Sequence, residues 1–179
     1  MSAASDLVWY FAYGSNMQPA TFAGRRGIVA ARAVVARLAG WQLVFDKPSL
    51  LPMGQGMGNV VVAAGAEVLG VAYAITADDL AHVDLTEGVL IENYRRVAVH
   101  VTALDGGTPF EAWTLTSERR DAALCPSRRY MTLLIEGAEH HGLPAEYVAW
   151  LRACPAVAES PESTAVRVFL DRALKKEPR

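Results

Sequence analysis

The sequence is poor in cysteine, since only Cys125 and Cys154 occur among its 179 residues. They lie far apart, and neither belongs to the CxxC pairs that zinc sites and redox motifs use. Two isolated thiols also cannot supply the disulfide framework of a small secreted domain. The cysteine content therefore argues against both a disulfide scaffold and a zinc site.

Long hydrophobic runs and an excess of charge of either sign are also missing. Although 52% of the residues are hydrophobic, no run approaches the roughly 18 residues of a membrane span. The formal net charge of -2 provides no broadly basic face for the phosphates of nucleic acid. Residues 1–6 lack the basic region and the separate apolar segment of a signal peptide. We expect a cytoplasmic, cofactor-free protein that binds neither membrane nor nucleic acid.

Apolar residues in the first two thirds of the chain follow the patterns of strands. Leu7–Tyr13 is a continuous apolar run, and Trp41–Phe45 alternates. Residues 28–38 stay open between helix and strand, because alanine favours the former and valine the latter. Lys47–Gly58 contains two prolines and three glycines and is predicted to be a loop. Further strands are predicted at 59–64, 68–75, 94–102 and 110–115, with Asp105–Gly107 as the turn of a hairpin.

Helical spacing dominates from Ser127 onwards. Apolar residues recur on one face until Gly142, a C-cap, and Pro144 begins the next helix. The last helix is predicted to start at Ser160–Pro161. Its buried residues are expected to be Val166, Phe169, Leu170 and Leu174, followed by a frayed tail.

Two earlier helices complete the predicted elements. One is short and covers residues 17–26, and the other begins after Thr76, an N-cap, and ends near Gly88. Strands that precede helices favour an α+β fold with a mostly antiparallel sheet that can close into a barrel. We predict a single domain over residues 1–179, in which 161–179 form a C-terminal helix and tail.

The first predicted strand ends in an unusual corner, Tyr13-Gly14-Ser15-Asn16. Small residues here expose successive backbone N–H groups, which can form an anion-binding concavity that a ligand approaches closely. The alternative is a simple turn into the next helix, with Ser15 or Asn16 as its N-cap. The corner alone does not distinguish a ligand site from a turn.

Glu87 stands where the helix after Thr76 is predicted to end. A carboxylate is electrostatically unfavourable there, because the C-terminus of a helix carries partial negative charge. A solvated surface glutamate tolerates that position at little cost. A glutamate held in a partly desolvated site would instead be suited to accept a proton as a general base.

Two other motifs are weaker. Gly54–Asn59 resembles a dinucleotide-binding glycine run, but it precedes a strand and lacks the third glycine, so a flexible loop or a flap over the substrate is predicted. His140 and His141 are adjacent, so they point in different directions and are not spaced to bind one metal from a single helix face. No metal site is predicted from either motif.

Several stretches, in order along the chain, together resemble the γ-glutamylcyclotransferase family. They are YFAYGSNM (10–17), GVAYAIT (70–76) leading to LTEGV (85–89), Tyr94, and CPSRRYMTLLIEGAEHHGLP (125–144). The resemblance runs from about Trp9 to about Pro155. The segments Gly137–Ala138, Gly142–Pro144 and Glu146–Tyr147 are most similar to the form that acts on γ-glutamyl amino acids. The segment Lys47–Gly58 matches poorly, which leaves open whether it closes the site.

The resemblance implies a small mixed α+β domain around a β-barrel, with a cavity at one barrel mouth. It implies that Glu87 is the general base and that a substrate lies against the backbone of the corner, which explains the small residues there. The implied substrate-binding residues are Tyr10, Phe11, Ala12, Tyr13, Gly14, Ser15, Asn16, Tyr94 and Tyr130.

The reaction that the resemblance implies is an intramolecular aminolysis. The α-amine of a γ-glutamyl amino acid attacks its own γ-carbonyl, 5-oxoproline forms and the amino acid leaves, so neither a protein nucleophile nor a cofactor is needed. Two alternatives remain open: a cyclotransferase for γ-glutamylamines or for a γ-glutamyl-protected biosynthetic intermediate, and a non-catalytic binding module. The expected partner is a small γ-glutamyl molecule, and the oligomeric state is open, with a homodimer as one arrangement.

Overall fold

Five strands close into a barrel in the order β1-β3-β2-β4-β5. The computed structural model describes residues 7–51 and 54–173, with the backbone alone for 170 and 171. The strands are β1 (Leu7–Ala12), β2 (Arg32–Pro48), β3 (Gly56–Thr76), β4 (Arg95–Ala103) and β5 (Phe110–Thr116). All neighbours pair antiparallel except β1 and β5, which pair in parallel at Tyr10 and Trp113. The predicted α+β class with a closed, mostly antiparallel sheet is confirmed.

Four α-helices surround the barrel: α1 (Ala77–Glu87), α2 (Arg128–His140), α3 (Ala145–Ala153) and α4 (Pro161–Ala173). Short helical segments cover Ser15–Met17, Ala20–Arg25 and Val89–Ile91. Thr76 caps α1 as predicted, since its side chain accepts a hydrogen bond from the Asp79 amide over 3.1 Å. The described residues contain no helix that is long and apolar enough to span a bilayer.

The hairpin of β2 and β3 is longer than predicted. The strands expected at 59–64 and 68–75 are one continuous strand, in which Gly65 has a φ of 80°. The pairing register shifts between Ala39 and Trp41, where Gly40 has a φ of 78°. The register shift therefore interrupts the pairing without ending the hairpin, because glycine adopts positive φ at little cost.

Two local predictions are wrong. The predicted loop Lys47–Gly58 is shorter, because β2 continues through Pro48 and β3 begins at Gly56. The helix predicted at 17–26 is divided into a 3-10 turn and a π-helical segment. Gln18, between them, is extended, as expected of a residue before a proline.

The buried face predicted for the last helix is only partly realised. Val166 is half-buried, but Phe169 is 70% exposed. Leu174 and the tail lie outside the described residues, as does the side chain of Leu170. The helix therefore turns Phe169 to solvent, and its inner face includes Ser163 and Arg167.

Candidate active site at the barrel mouth

The corner after β1 places a buried amide side chain at the barrel mouth. Ser15–Met17 form a 3-10 turn that no side chain caps, so neither Ser15 nor Asn16 serves as the N-cap. The Asn16 side chain turns inwards and is 5% exposed. Its Nδ2 donates to the Tyr10 hydroxyl over 2.9 Å and to Glu87 Oε1 over 3.1 Å. The corner thus makes direct contact with the acidic residue predicted to be the base.

Glu87 is the last residue of α1, and Gly88 stops the helix in the left-handed conformation with a φ of 73°. Asn93 reinforces this end, because its Nδ2 donates to the Glu87 backbone carbonyl over 2.9 Å. The Glu87 side chain is 19% exposed. The helix end therefore fixes the carboxylate at the barrel mouth while leaving part of it accessible.

Arg26 is a site residue that the sequence analysis did not identify. Its guanidinium forms an ion pair with Glu87 Oε1, and its Nε donates to Asn16 Oδ1 over 2.7 Å. A further guanidinium nitrogen donates to the Thr86 hydroxyl. The cation offsets the unfavourable position of a carboxylate at a helix C-terminus. Arg26 and Asn16 both engage the same carboxylate oxygen, Oε1.

Four tyrosine side chains surround the carboxylate. Tyr13 donates to the Leu115 carbonyl over 2.6 Å, and Tyr94 donates to the Gly58 carbonyl over 2.8 Å. The Tyr130 hydroxyl accepts from the Gly58 amide over 3.0 Å. Burial raises the pKa of all four, including Tyr10, and the charge of Glu87 raises each further. The tyrosines are therefore neutral phenols that can orient a ligand but not act as bases near neutral pH.

These residues line an inner cavity of ≈ 40 Å³. Its described lining consists of Tyr10, Tyr13, Gly14, Ser15, Asn16, Met57, Gly58, Glu87, Tyr94, Leu115 and Tyr130. Glu87 supplies the one carboxyl group of this described lining, and the other ionisable side chains in it are the four tyrosines. Phe11 and Ala12 do not line it, because they are buried in β1 opposite Ala72 and Val71 of β3. The structure thus brings together all the predicted site residues except these two.

Packing against the Tyr130 hydroxyl explains the glycines at positions 14 and 58 without a bound ligand. A Cβ on Gly58 would lie 2.8 Å from this oxygen, and a Cβ on Gly14 would lie 3.1 Å from it. Both are closer than side-chain atoms normally pack. Glycine at both positions therefore lets the Tyr130 hydroxyl sit between the corner and β3.

A larger outer pocket of ≈ 200 Å³ adjoins the inner cavity. Ser15, Met57, Glu87 and Tyr130 border both. Ser49, Leu51 and Gln55 also line the outer pocket, so described residues of the poorly matching segment 47–58 contribute to its wall. Glu159 and Arg167 also line the outer pocket. Since Arg167 belongs to α4, this helix lies beside the site.

Lys47 is a buried cation behind the inner cavity. It is 1% exposed, its Nζ donates to Asn93 Oδ1, and it lies 4.7 Å from the centre of the Tyr94 ring. Burial lowers the pKa of Lys47 to about 8, the negative charge of Glu87 opposes that effect, and Arg119 adds to it. Through Asn93, Lys47 is linked to the backbone carbonyl of Glu87.

The burial of Lys47 predicts a specific pH dependence of stability. Between pH 8 and about 10.4 the unfolded chain keeps the lysine proton and the folded chain does not, so the free energy of unfolding rises with pH. Relative to Lys47→Met, which does not titrate there, the wild type should gain up to about 1.4 kcal/mol per pH unit within this window and less at its edges. Urea unfolding of both proteins at pH 7.5, 8.5 and 9.5 measures this difference. A constant difference across the series would show that Lys47 is not desolvated as described.

Comparisons with known proteins agree with this fold. Residues 67–151 match the AIG2-like family. Human γ-glutamylcyclotransferase is 32% identical over 148 residues, which cover 80% of this chain and 77% of the human protein. The chain belongs to the γ-glutamylcyclotransferase family.

Two further members resemble the chain. The γ-glutamyl cyclotransferase aclK of Aspergillus oryzae is 28% identical over 189 residues, which cover 90% of this chain and 66% of the fungal one. A solved structure of a γ-glutamyl cyclotransferase matches this chain with a TM-score of 0.79 at 27% sequence identity, and the match covers 93% of this chain and 99% of the solved chain.

Within residues 7–51 and 54–173, no group of three or more His, Cys, Asp or Glu side chains is arranged to hold a metal ion.

Proposed function

We propose that this member of the family is a γ-glutamylcyclotransferase that converts γ-glutamyl amino acids to 5-oxoproline and the free amino acid, with Glu87 as the general base. The observation that supports this best is the inner cavity, whose described lining combines a single carboxyl group, that of Glu87, with neutral phenols. A reaction whose nucleophile belongs to the substrate needs from the protein a proton acceptor and a fixed geometry. The cavity offers both.

The proposed reaction begins with a proton transfer from the substrate's α-ammonium group to Glu87. In water an α-ammonium has a pKa near 8 and a free glutamate about 4.3, so this transfer costs about 5 kcal/mol. Because Arg26 and Asn16 both engage Oε1, we assign the proton to Oε2. The fixed position of the carboxylate in a partly closed site, where its side chain is 19% exposed, is proposed to favour this transfer over the same transfer in water.

The freed amine then attacks the γ-carbonyl carbon. A carbon–nitrogen bond of the five-membered lactam forms, and the bond to the departing nitrogen breaks. The attacking nitrogen loses two protons in all and the departing nitrogen gains two, so Glu87 ends as it began. The backbone N–H groups of Gly14 and Ser15, at the corner, are proposed to bind the developing oxyanion or the substrate's α-carboxylate.

The test is release of 5-oxoproline from a panel of γ-glutamyl dipeptides and γ-glutamylamines. We expect release from the dipeptides, because the cavity continues into a pocket large enough for an amino acid. Release only from γ-glutamylamines would favour the alternative leaving group. Binding of 5-oxoproline by the folded protein, without turnover of any panel member, would favour the non-catalytic alternative.

A further inference from the structure

The outer pocket lies where a leaving group would extend. The inner cavity of ≈ 40 Å³ has room for about three water molecules, too little for a whole γ-glutamyl dipeptide. Glu87 and Tyr130 border both spaces, so the scissile amide of a substrate in contact with Glu87 would lie at their junction. This inference rests on the proposed function.

The described lining of the outer pocket has an excess of positive charge. It contains four arginines and two glutamates. Both glutamates are engaged by arginines of the same lining, Glu87 by Arg26 and Glu159 by Arg167 over 3.7 Å. The other two arginines of the described lining, Arg25 and Arg129, are half-buried. A concave, partly desolvated surface with this balance favours an anion.

The leaving group of a γ-glutamyl amino acid supplies such an anion. Its α-carboxylate is attached to the carbon next to the departing nitrogen, whereas the leaving group of a simple γ-glutamylamine has no charge before cleavage. Guanidinium groups bind carboxylates through charge-assisted, often bidentate hydrogen bonds. Leu51, Met57 and Leu133 provide apolar surface in the same pocket for a side chain.

We propose that Arg129, together with Arg25, forms a carboxylate-binding subsite for the departing amino acid and makes the site selective for γ-glutamyl amino acids over γ-glutamylamines. Arg129 precedes Tyr130 in the first turn of α2, where the Ser127 side chain accepts from the Tyr130 amide over 3.1 Å. The subsite is therefore held by the same capped helix start that places the Tyr130 hydroxyl at the inner cavity.

The chain contains a matched control for Arg129. Arg128 is its neighbour in the same helical turn, has the same charge, is exposed and lines neither pocket. Arg128→Met and Arg129→Met change the net charge and the composition of α2 identically. Only the second removes a group from the outer pocket.

The experiment compares γ-glutamyl-alanine with γ-glutamyl-alaninamide, which differ only in the carboxylate. We expect the wild type to prefer γ-glutamyl-alanine, and Arg129→Met to lose about 10- to 100-fold in kcat/KM for it, mainly through KM. The kcat/KM of Arg129→Met for γ-glutamyl-alaninamide should stay within about twofold of the wild-type value. The kcat/KM of Arg128→Met should stay within about twofold of the wild-type value for both substrates. Arg25→Met, measured in parallel, should show the same substrate-dependent loss and serves if Arg129→Met does not fold.

Equal losses of kcat/KM on both substrates in Arg129→Met would assign Arg129 a structural role and overturn the subsite. Equal effects of Arg128→Met and Arg129→Met on kcat/KM would overturn it as well. No release of 5-oxoproline from either substrate by the folded wild type would overturn the proposed function instead. In that case neither compound is consumed, and both can be titrated calorimetrically against the wild type. Equal affinity for the two would then overturn the subsite as well.

Discussion

Glu87→Gln is expected to lower kcat for 5-oxoproline release by at least about 100-fold, the usual contribution of a positioned general base. The amide keeps the size of the carboxylate and can still accept hydrogen bonds from Asn16 and Arg26, so the fold and substrate binding should persist. What the variant lacks is an oxygen that takes a proton from the α-ammonium group. The measurement is steady-state kinetics on γ-glutamyl-alanine, with circular dichroism to verify folding.

Glu92→Gln is the matched control for this experiment. Glu92 is five residues further along the chain, exposed, and outside the lining of both pockets. Its replacement removes the same charge and should leave kcat within about twofold of the wild type. If Glu87→Gln retained more than about a tenth of wild-type activity, the general-base role would be excluded.

Arg26→Met is expected to destabilise the protein by about 3–5 kcal/mol, the range for breaking a buried ion pair by removing one partner. Arg26 has only 7% of its side chain exposed, and its loss would leave Glu87 Oε1 and Asn16 Oδ1 without its hydrogen bonds. Activity should fall as well, because Asn16 and Glu87 lose the group that holds both. Urea unfolding with extrapolation to water measures the free energy, and kinetics under folded conditions measures the activity.

The Arg37–Glu67 pair provides the contrast for Arg26. Its nitrogen–oxygen distance is 3.6 Å and the two side chains are 44% and 52% exposed, so Arg37→Met should cost no more than about 1 kcal/mol. Arg26→Lys keeps the charge but cannot repeat the three-partner geometry, and an intermediate loss is expected. A loss below about 1 kcal/mol in Arg26→Met would mean that the network is not a stabilising unit.

Much of the fold could be predicted because local signals and tertiary structure agree. The capped start of α1 at Thr76 and the turn at Asp105–Gly107 are each encoded in a few adjacent residues, and both appear where predicted. The long hairpin was divided in the prediction because Gly65 reads as a strand end. Its positive φ instead lies where the pairing register shifts near Gly40, 25 residues away in sequence.

The site could be predicted only where residues belong to recognisable motifs. The corner and Glu87 are locally unusual and the family resemblance assigns their roles, whereas Arg26 reads as one of two arginines at a helix end, with no spacing that links it to Glu87. Arg26 and Glu87 are 61 residues apart in sequence, and their contact depends on where the π-helical segment before Arg26 lies relative to α1. Lys47 was missed for a related reason, since a lysine in a proline- and glycine-rich stretch is normally exposed.

The parallel pairing of β1 with β5 affects how the protein can assemble during synthesis. β1 is translated first, yet its two partners end at Thr76 and Thr116. At about 5–20 residues per second, several seconds separate β1 from the last residue of β5. Until then the aromatic first strand has only one neighbour at most, and the ribosome-bound chain presents an unpaired apolar edge that is a natural substrate for chaperones. The corner and its partner in β5 therefore come together only after β5 has been synthesised, although the corner itself is made before the other four strands.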